Sequence, residues 1–334
     1  MMATIKDVAK RAGVSYTTVS HVINETRFVS EDVVKRVNKA IRELKYRPNQ
    51  VARCLRKQES KTIGVLSSIN VNPYFSETLT GIEKKAYLEG YNIIVCYSEC
   101  NPEKEKENIE MLLDKGVDAV IIHSLLDETR IPYLVNLEIP VLFLQHYIED
   151  SGMDAICTDG FMGGYLAAKH FIELGHTKIA CVSAEGNDNF SYRQRIKGWE
   201  KALNENGIEL NKDYIIETDF HTHAGYDAFV KFAKMVVPPT AIFFYSDNLA
   251  IGGIRAAADI NVAVPDQVSV IGFDDLFMCQ YTVPRLTTVY QPKFSLGEMA
   301  FARIFERIKD KELKPQKQLV EPKLIIREST GKRA

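Results

Sequence analysis

Residues 4–24 read TIKDVAKRAGVSYTTVSHVIN, and this stretch decides the first structural unit. Apolar residues recur at helical spacing in its first half, and Thr4 followed by Asp7 has the form of a capping box. Gly13 stands where a helix end takes up a positive φ, and Ser15 can cap a second helix. The pattern therefore predicts two helices joined by a tight turn, as in a helix-turn-helix.

The second predicted helix is rich in small polar side chains opposite its apolar stripe. Residues at the start of a recognition helix reach base edges in the major groove, whereas phosphate contacts position the protein without reading sequence. The candidates for base readout are Tyr16, Thr17 and His21, and those for backbone contact are Thr18, Ser20, Asn24 and Arg27, with Thr4 as a further DNA-contact candidate. A small helical bundle with a polar surface is the alternative interpretation.

Charge is divided unevenly along the chain, which has 334 residues and a net charge of −2. The first 60 residues contain thirteen Lys and Arg against six Asp and Glu, so they carry +7 and the remainder carries −9. A basic head on an acidic body suits a polyanion as the partner of the head alone. A solvated basic helix face would give the same count.

A third helix and a short basic segment complete the head. Ser30 can cap the third helix, which ends before Pro48. Segment 49–56 is too short to form a stable helix alone, but it can fold against DNA with Leu55 inserted into the minor groove. The remaining DNA-contact candidates in this segment are Asn49, Val51 and Ala52.

From residue 62 the pattern changes to buried strands that alternate with amphipathic helices. Strands are predicted at 63–66, 93–96, 119–122 and 141–144, and in a second series at 179–182, 241–244 and 268–271. This rhythm predicts an α/β body of two doubly wound parallel-sheet lobes with a hinged cleft between them. The predicted domains are a helix-turn-helix head at 1–48, a hinge helix and linker at 49–61, and an effector-binding and dimerisation domain at 62–334.

Loops that follow the predicted strands supply the candidates for ligand contact, because ligands of such sheets lie beyond the carboxyl ends of the strands. Asn72 beside Tyr74 and Phe75 combines hydrogen bonding with an aromatic wall, which suits a polyhydroxyl ring or a base. The later loops add Asn189, Ser191, Arg195, Phe220, Asp247 and Asp274. Carboxylates and arginine can pair with vicinal hydroxyls or a polar ring edge, although each could equally cap a helix.

Three strings carry a resemblance to a known family: IKDVAKRAGVS at 5–15, TVSHVIN at 18–24 and YRPN at 46–49. They resemble the LacI/GalR family of transcription regulators, and within it the ribose and purine repressors most. The resemblance implies a homodimer that binds a palindromic operator, a body of periplasmic-binding-protein type, and allosteric control by a small effector. It also implies effector contacts at Asn72, Tyr74, Phe75, Arg195, Phe220, Asp247 and Asp274.

Two departures from these relatives concern the effector. Asn189 and Ser191 stand where the purine repressor carries Arg and Thr, and His146 with Tyr147 stands where ribose and purine repressors carry Asp and Trp. We expect a small sugar, such as the pentose ribose, with a purine or nucleoside as the alternative.

Other functional classes leave no motif in the chain. The glycine-rich dinucleotide fingerprint, the P-loop and the nucleophile elbow are all missing, so we expect no enzyme activity, cofactor or metal. A sugar-modifying enzyme and a transport-type sugar receptor remain as rivals, and neither needs a basic three-helix head. The sequence shows no signal peptide and no membrane span, and its six scattered cysteines suit reduced thiols in a cytoplasm.

Overall fold

The structure, a computed structural model, describes residues 3–24, 26–46, 59–68, 73–123, 125–126, 128–146, 151–184 and 190–333, with only the backbone at 190–192. The chain divides into two compact units, Met1–Ser60 and Lys61–Ala334. None of the described helices is long and apolar enough to cross a membrane.

The head contains the three predicted helices: α1 Ile5–Ala12, α2 Tyr16–Asn24 and α3 Glu31–Glu43. Their apolar stripes face one another and form a small core. Its fully buried members are Val8, Ala9, Ala12, Val19, Val37 and Ala40. The apolar residues that recur at helical spacing in the sequence are thus the residues that are buried in the structure.

Local polar contacts fix the ends of the first two helices. The Asp7 carboxylate accepts hydrogen bonds from the Thr4 backbone N–H and hydroxyl at 2.8 and 2.7 Å, and the Thr4 hydroxyl accepts one from the Asp7 backbone N–H. Gly13 ends α1 with φ of 65°, a conformation that costs other residues a steric clash. The Thr18 N–H donates to the Ser15 hydroxyl at 3.0 Å at the start of α2. The capping box and glycine turn are confirmed.

The first lobe of the body is built on a parallel sheet. Its strands are β1 Thr62–Ser67, β2 Asn92–Tyr97, β3 Ala119–His123, β4 Val141–Leu144 and β5 Asp154–Thr158, and its first three helices are α4 Pro73–Leu88, α5 Pro102–Asp114 and α6 Ile131–Val135. The second lobe has strands β6 Ile179–Ala184, β7 Ile215–Thr218, β8 Ala241–Phe244, β9 Ser269–Asp274 and β10 Thr287–Tyr290, and helices α7 Gly160–Glu173, α8 Phe190–Glu205, α9 Thr222–Ala233 and α10 Asp247–Asp259.

The C-terminal part of the chain serves both lobes. Helix α11, Lys293–Lys309, packs on α4 of the first lobe, strand β11 Lys317–Val320 joins the first sheet beside β5, and strand β12 Lys323–Ile325 joins the second sheet beside β10. The strand orders are β11-β5-β4-β3-β1-β2 and β12-β10-β9-β8-β6-β7. Among the described strands, every pairing is parallel except that of β12 with β10. The chain therefore crosses between lobes after β5, β10 and β11, and the predicted two-lobed architecture is confirmed.

Candidate functional site

The exposed face of the head carries several of the predicted DNA contacts. Thr4, Tyr16, Thr17 and Arg27 are exposed, and Tyr16 and Thr17 occupy the first two positions of α2. A helix N-terminus that presents such side chains can enter a major groove with its first turn facing the bases.

The other predicted contacts on α2 are half-buried and make local hydrogen bonds. The Thr18 hydroxyl lies 2.8 Å from that of Ser15, and the Asn24 amide donates to the Ser20 carbonyl at 2.8 Å. His21 Nδ1 lies 2.8 Å from the Thr26 hydroxyl, which holds its ring in one orientation. Asn49, Val51, Ala52 and Leu55 lie outside the described residues.

Tyr74 joins the two lobes of the body at the carboxyl end of the first sheet. Its backbone lies on α4 of the first lobe, but its ring packs into the apolar cluster of the second lobe with Tyr245 and Leu276. Its hydroxyl accepts a hydrogen bond from the Gln145 side-chain amide, and burial raises the pKa of this phenol. Phe75 beside it is buried in the first-lobe core.

Arg195 and Asp274 form the charged part of the cleft on the second lobe. The Arg195 guanidinium lies 3.7 Å from the centre of the Phe273 ring and donates to the Tyr245 carbonyl. Asp274 ends β9 with φ of 120°, a strained conformation that is common at functional sites. Burial raises the pKa of Asp274, the Arg195 charge opposes this shift, and the Asp247 charge adds to it.

A buried chain of amide hydrogen bonds runs from this acid to the first lobe. The Gln291 Nε2 donates to Asp274 Oδ1 at 2.6 Å, and Gln145 Nε2 lies 3.1 Å from Gln291 Oε1. The Gln145 side chain also bonds Thr158 twice, through the Thr158 hydroxyl and backbone N–H, each at 3.0 Å. Gln291 and Thr158 both lie at crossings between the lobes, so the chain links a cleft carboxyl group to the hinge.

Asp247 and Phe220 have different surroundings from those of Asp274. Asp247 is fully buried, and its two carboxylate oxygens accept hydrogen bonds from the Leu276 N–H at 2.7 Å and the Thr288 hydroxyl at 2.5 Å. It therefore holds the loop after β9 in place. The Phe220 ring packs edge-on against Tyr245, with centroids 5.7 Å apart.

Of the other candidates, Asn72 and Asn189 lie outside the described residues, and Ser191 is described by its backbone alone. The described part of the chain holds no group of three His, Cys, Asp or Glu that could bind a metal ion.

Several cleft residues were not predicted from the sequence. Gln145 follows a strand that was predicted, and His123 ends another, so the rule that ligands lie beyond strand ends would have found both. Gln291 and Lys293 follow β10, which was not predicted. The Lys293 ammonium donates to the backbone carbonyls of Asp274 and Asp275 at 2.7 and 2.8 Å, and so holds the end of β9.

A helix-turn-helix head followed by a two-lobed body with a polar cleft defines a ligand-responsive DNA-binding regulator. The family model for bacterial regulatory proteins of the lacI family matches residues 4–49, and the model for the periplasmic binding protein-like domain matches residues 168–330. The HTH-type transcriptional repressor PurR of Photobacterium profundum is 41% identical over 330 residues, which cover 98% of each chain. PurR of Vibrio vulnificus is 39% identical over 333 residues, 99% of each chain. This chain belongs to the LacI family.

Solved structures agree with this assignment. The Lac repressor dimer bound to operator and the anti-inducer ONPF superposes with a TM-score of 0.91 at 29% identity, covering 99% of this chain and 100% of that one. A LacI family regulator from Enterococcus faecium with bound ribose superposes with a TM-score of 0.75 at 31% identity, covering 82% and 100%. The predicted family and fold are confirmed, and the chain is a transcriptional regulator and not an enzyme.

Proposed function

We propose that this chain is a repressor that binds a palindromic operator as a homodimer and changes its operator affinity when a small effector binds between its lobes. The carrying observation is the buried polar chain from Asp274 through Gln291 to Gln145, which connects the cleft to the crossings between the lobes. The named relatives are repressors, and the Lac repressor structure is that of a dimer on its operator.

In this proposal the head reads DNA and the following segment transmits the signal. Tyr16, Thr17 and His21 read bases, and residues 49–61 form the hinge between a head at 1–48 and an effector domain at 62–334. Leu55 enters the minor groove there. The protein acts in the cytoplasm, where its operator lies.

For the effector, a purine base or nucleoside takes precedence over the sugar that the sequence analysis favoured. The two named relatives, at 41% and 39% identity, carry the name PurR, which supports the purine class. The ribose-bound relative at 31% identity supports a pentose as the second candidate. Both are polar rings that can stack on an aromatic side chain and pair with the Arg195 and Asp274 groups.

The cleft geometry suggests how an effector would act. Tyr74 from the first lobe meets Arg195 and Asp274 from the second, so a ligand that pairs with these groups stabilises lobe closure. Effector binding shifts operator affinity only if the closed and open states differ in DNA affinity.

The test is operator affinity measured by fluorescence anisotropy, on sites selected from random palindromes, with and without adenine, guanine, adenosine or D-ribose. We expect at least one compound to change the affinity of the wild-type protein by about tenfold or more, within the usual range of allosteric coupling. Arg195→Ala should lose this response and keep the effector-free affinity. Arg255→Ala, at an exposed arginine paired with Asp259 on α10, is the matched control and should respond as wild type. A full response in Arg195→Ala would contradict the cleft assignment.

A further inference from the structure

Two histidines stand at the carboxyl ends of adjacent first-lobe strands. His123 ends β3, and its ring centroid lies 5.7 Å from that of Tyr74 and 5.3 Å from that of Phe75. His146 follows β4, is fully buried, and packs edge-on against Phe143. The His123 ring therefore adjoins Tyr74 and Phe75, and His146 stands at the end of the neighbouring strand.

The ring nitrogens of this pair are buried without hydrogen bonds. All four have almost no solvent access, and none has a hydrogen-bond partner within the part of the chain that the structure describes. His146 Nε2 lies 3.4 Å from Glu128 Oε1, but the two atoms are misaligned for a hydrogen bond. Buried polar atoms in folded proteins are nearly always paired, because each unpaired one costs the desolvation of its polar group. These unpaired nitrogens are groups with which a ligand that offers matching donors and acceptors can form hydrogen bonds.

The charge state of the pair limits the ligand. The pKa values of His123 and His146 are both lowered to about 4, mainly by burial, and the Arg193 charge contributes to the shift of His146. At neutral pH each ring is uncharged, with one N–H donor and one acceptor nitrogen. The Glu128 carboxylate at the edge of the pair adds negative charge. Neither imidazole can then compensate an anionic ligand group.

We propose that His123 and His146 are specificity-determining residues that recognise an uncharged polar ring through paired donors and acceptors. The ligand class is a nucleobase, a nucleoside or a free sugar, and phosphate esters of the same compounds are rejected. This inference rests on the proposed effector site, because it assigns to that site a first-lobe contact and a charge requirement.

The first arm of the test compares ligands on the wild-type full-length protein by isothermal titration calorimetry. Adenosine is compared with adenosine monophosphate, D-ribose with ribose 5-phosphate, and adenine and guanine are included. We expect one uncharged compound to bind at least about tenfold more tightly than its phosphate ester, a difference of about 1.4 kcal/mol. Tighter binding of an ester, or no binding by any uncharged compound, would overturn the proposal. The adenosine pair and the ribose pair show whether the ligand is a nucleoside or a free sugar.

The second arm separates recognition from packing. His146→Phe and His123→Phe keep an aromatic ring but remove the unpaired nitrogens, so the ligand-free protein should melt no lower than wild type while ligand affinity falls about tenfold or more. His146→Gln restores a donor and an acceptor and should recover part of the ligand affinity. It also keeps the proposal testable if a phenylalanine variant fails to fold. Unchanged ligand affinity in all three variants would overturn the proposal.

Operator affinity without ligand is measured on the same proteins. A wild-type protein that does not bind operator would contradict the proposed regulatory function. The role of the histidines is decided by the ligand comparisons alone.

Discussion

At the scale of single residues, the Gln145 amide has more acceptors around it, among the described residues, than it has protons to donate. Its Nε2 carries two protons but faces three acceptors: the Tyr74 hydroxyl, the Thr158 hydroxyl and the Gln291 carbonyl oxygen. It cannot satisfy all three at once. A ligand that donates a hydrogen bond to one of these acceptors changes which two of them receive the Gln145 protons. Because Thr158 and Gln291 lie at crossings between the lobes, such a change links the cleft to these crossings.

Gln145→Leu tests this connection. The leucine keeps the apolar volume and leaves Thr158 and Gln291 buried without the amide, so we expect a loss of about 1–3 kcal/mol in the free energy of unfolding. The effector-dependent change in operator affinity should shrink as well. Urea unfolding and anisotropy titrations measure the two effects. Gln318→Leu, at an exposed position of β11, should alter neither. A full effector response in Gln145→Leu would show that the amide chain does not transmit the signal.

The two cleft histidines also predict a pH dependence of stability. Their pKa values are lowered to about 4 in the folded protein, from 6.5 for an ordinary histidine. Between about pH 6.5 and pH 4, these two histidines therefore bind protons in the unfolded chain but not in the folded protein. Their contribution to stability is complete above pH 6.5 and is lost as the pH falls toward 4.

Urea unfolding of the wild type and of the His123→Phe, His146→Phe double variant, at pH 7.5 and 5.0, measures this contribution. Each histidine should account for about 1.4 kcal/mol per pH unit within the window. The variant should lose less stability on acidification than the wild type, although burial also lowers the pKa values of His170 and His176 and these stay in place. Equal losses in both proteins would mean that the cleft histidines titrate normally.

At the scale of elements, the packing of α7 on α8 positions the ligand arginine. The two helices approach so closely that a Cβ atom on Gly164 would lie 1.8 Å from the Arg195 carbonyl oxygen, and one on Gly198 would lie 1.8 Å from the Phe161 carbonyl oxygen. Backbone meets backbone here, so no side-chain rotation relieves the clash. The position of Arg195 in the cleft therefore depends on a glycine in another helix.

Gly164→Ala should force α7 and α8 apart and destabilise the protein by about 1–3 kcal/mol, as overpacking does in a close-packed core. Effector affinity should fall too, because the Arg195 backbone moves with α8. Met162→Ala, at an exposed position of the same helix, is the control and should leave both unchanged. Thermal unfolding and calorimetric titration report the two effects, and wild-type values for Gly164→Ala would refute the close contact.

The elements that the sequence predicted are those with strong local signals. Caps, the Gly13 turn and continuous apolar runs identified α1, α2 and the strands β1 to β4, because each signal lies within a few residues. Strand β5 begins at Asp154, whose buried charge is paired with Arg303 far along the chain, and β10 contains the buried residues Thr287 and Thr288. Strand β11 is mostly exposed. These strands are exposed or contain buried polar residues that depend on distant partners, so their local apolar pattern is short or missing.

The candidate site follows the same division. Tyr74, Arg195 and Asp274 were predicted from loops after recognisable strands, and the structure brings these three together. Gln291 was not predicted, because it becomes a cleft residue only through a crossing between the lobes. Its bond to Gln145 joins residues 146 positions apart, a separation at which no local pattern carries information.

At the scale of the whole molecule, we propose that one exposed apolar patch on the second lobe contacts a second copy of the chain. Phe277, Met278, Tyr281 and Val283 are all more than half exposed, and the Phe277 and Tyr281 rings lie 4.8 Å apart. Soluble proteins seldom leave four large apolar side chains exposed within seven residues of sequence, and such patches mark interaction sites. A symmetric dimer would bury the patch against its own copy and would present two heads to a palindromic operator.

Tyr281→Asp places a charge in this patch and should convert the dimer to monomers at micromolar concentration, as measured by sedimentation velocity. Operator affinity should fall steeply, because a monomer holds only one half-site, whereas effector binding in the intact cleft should persist. Val236→Asp, at a fully exposed position of the same lobe, controls for the added charge and should remain dimeric. If Tyr281→Asp were still dimeric and bound operator normally, the interface would have to lie on another face. Retained effector binding by the monomer would show that each chain forms a complete cleft.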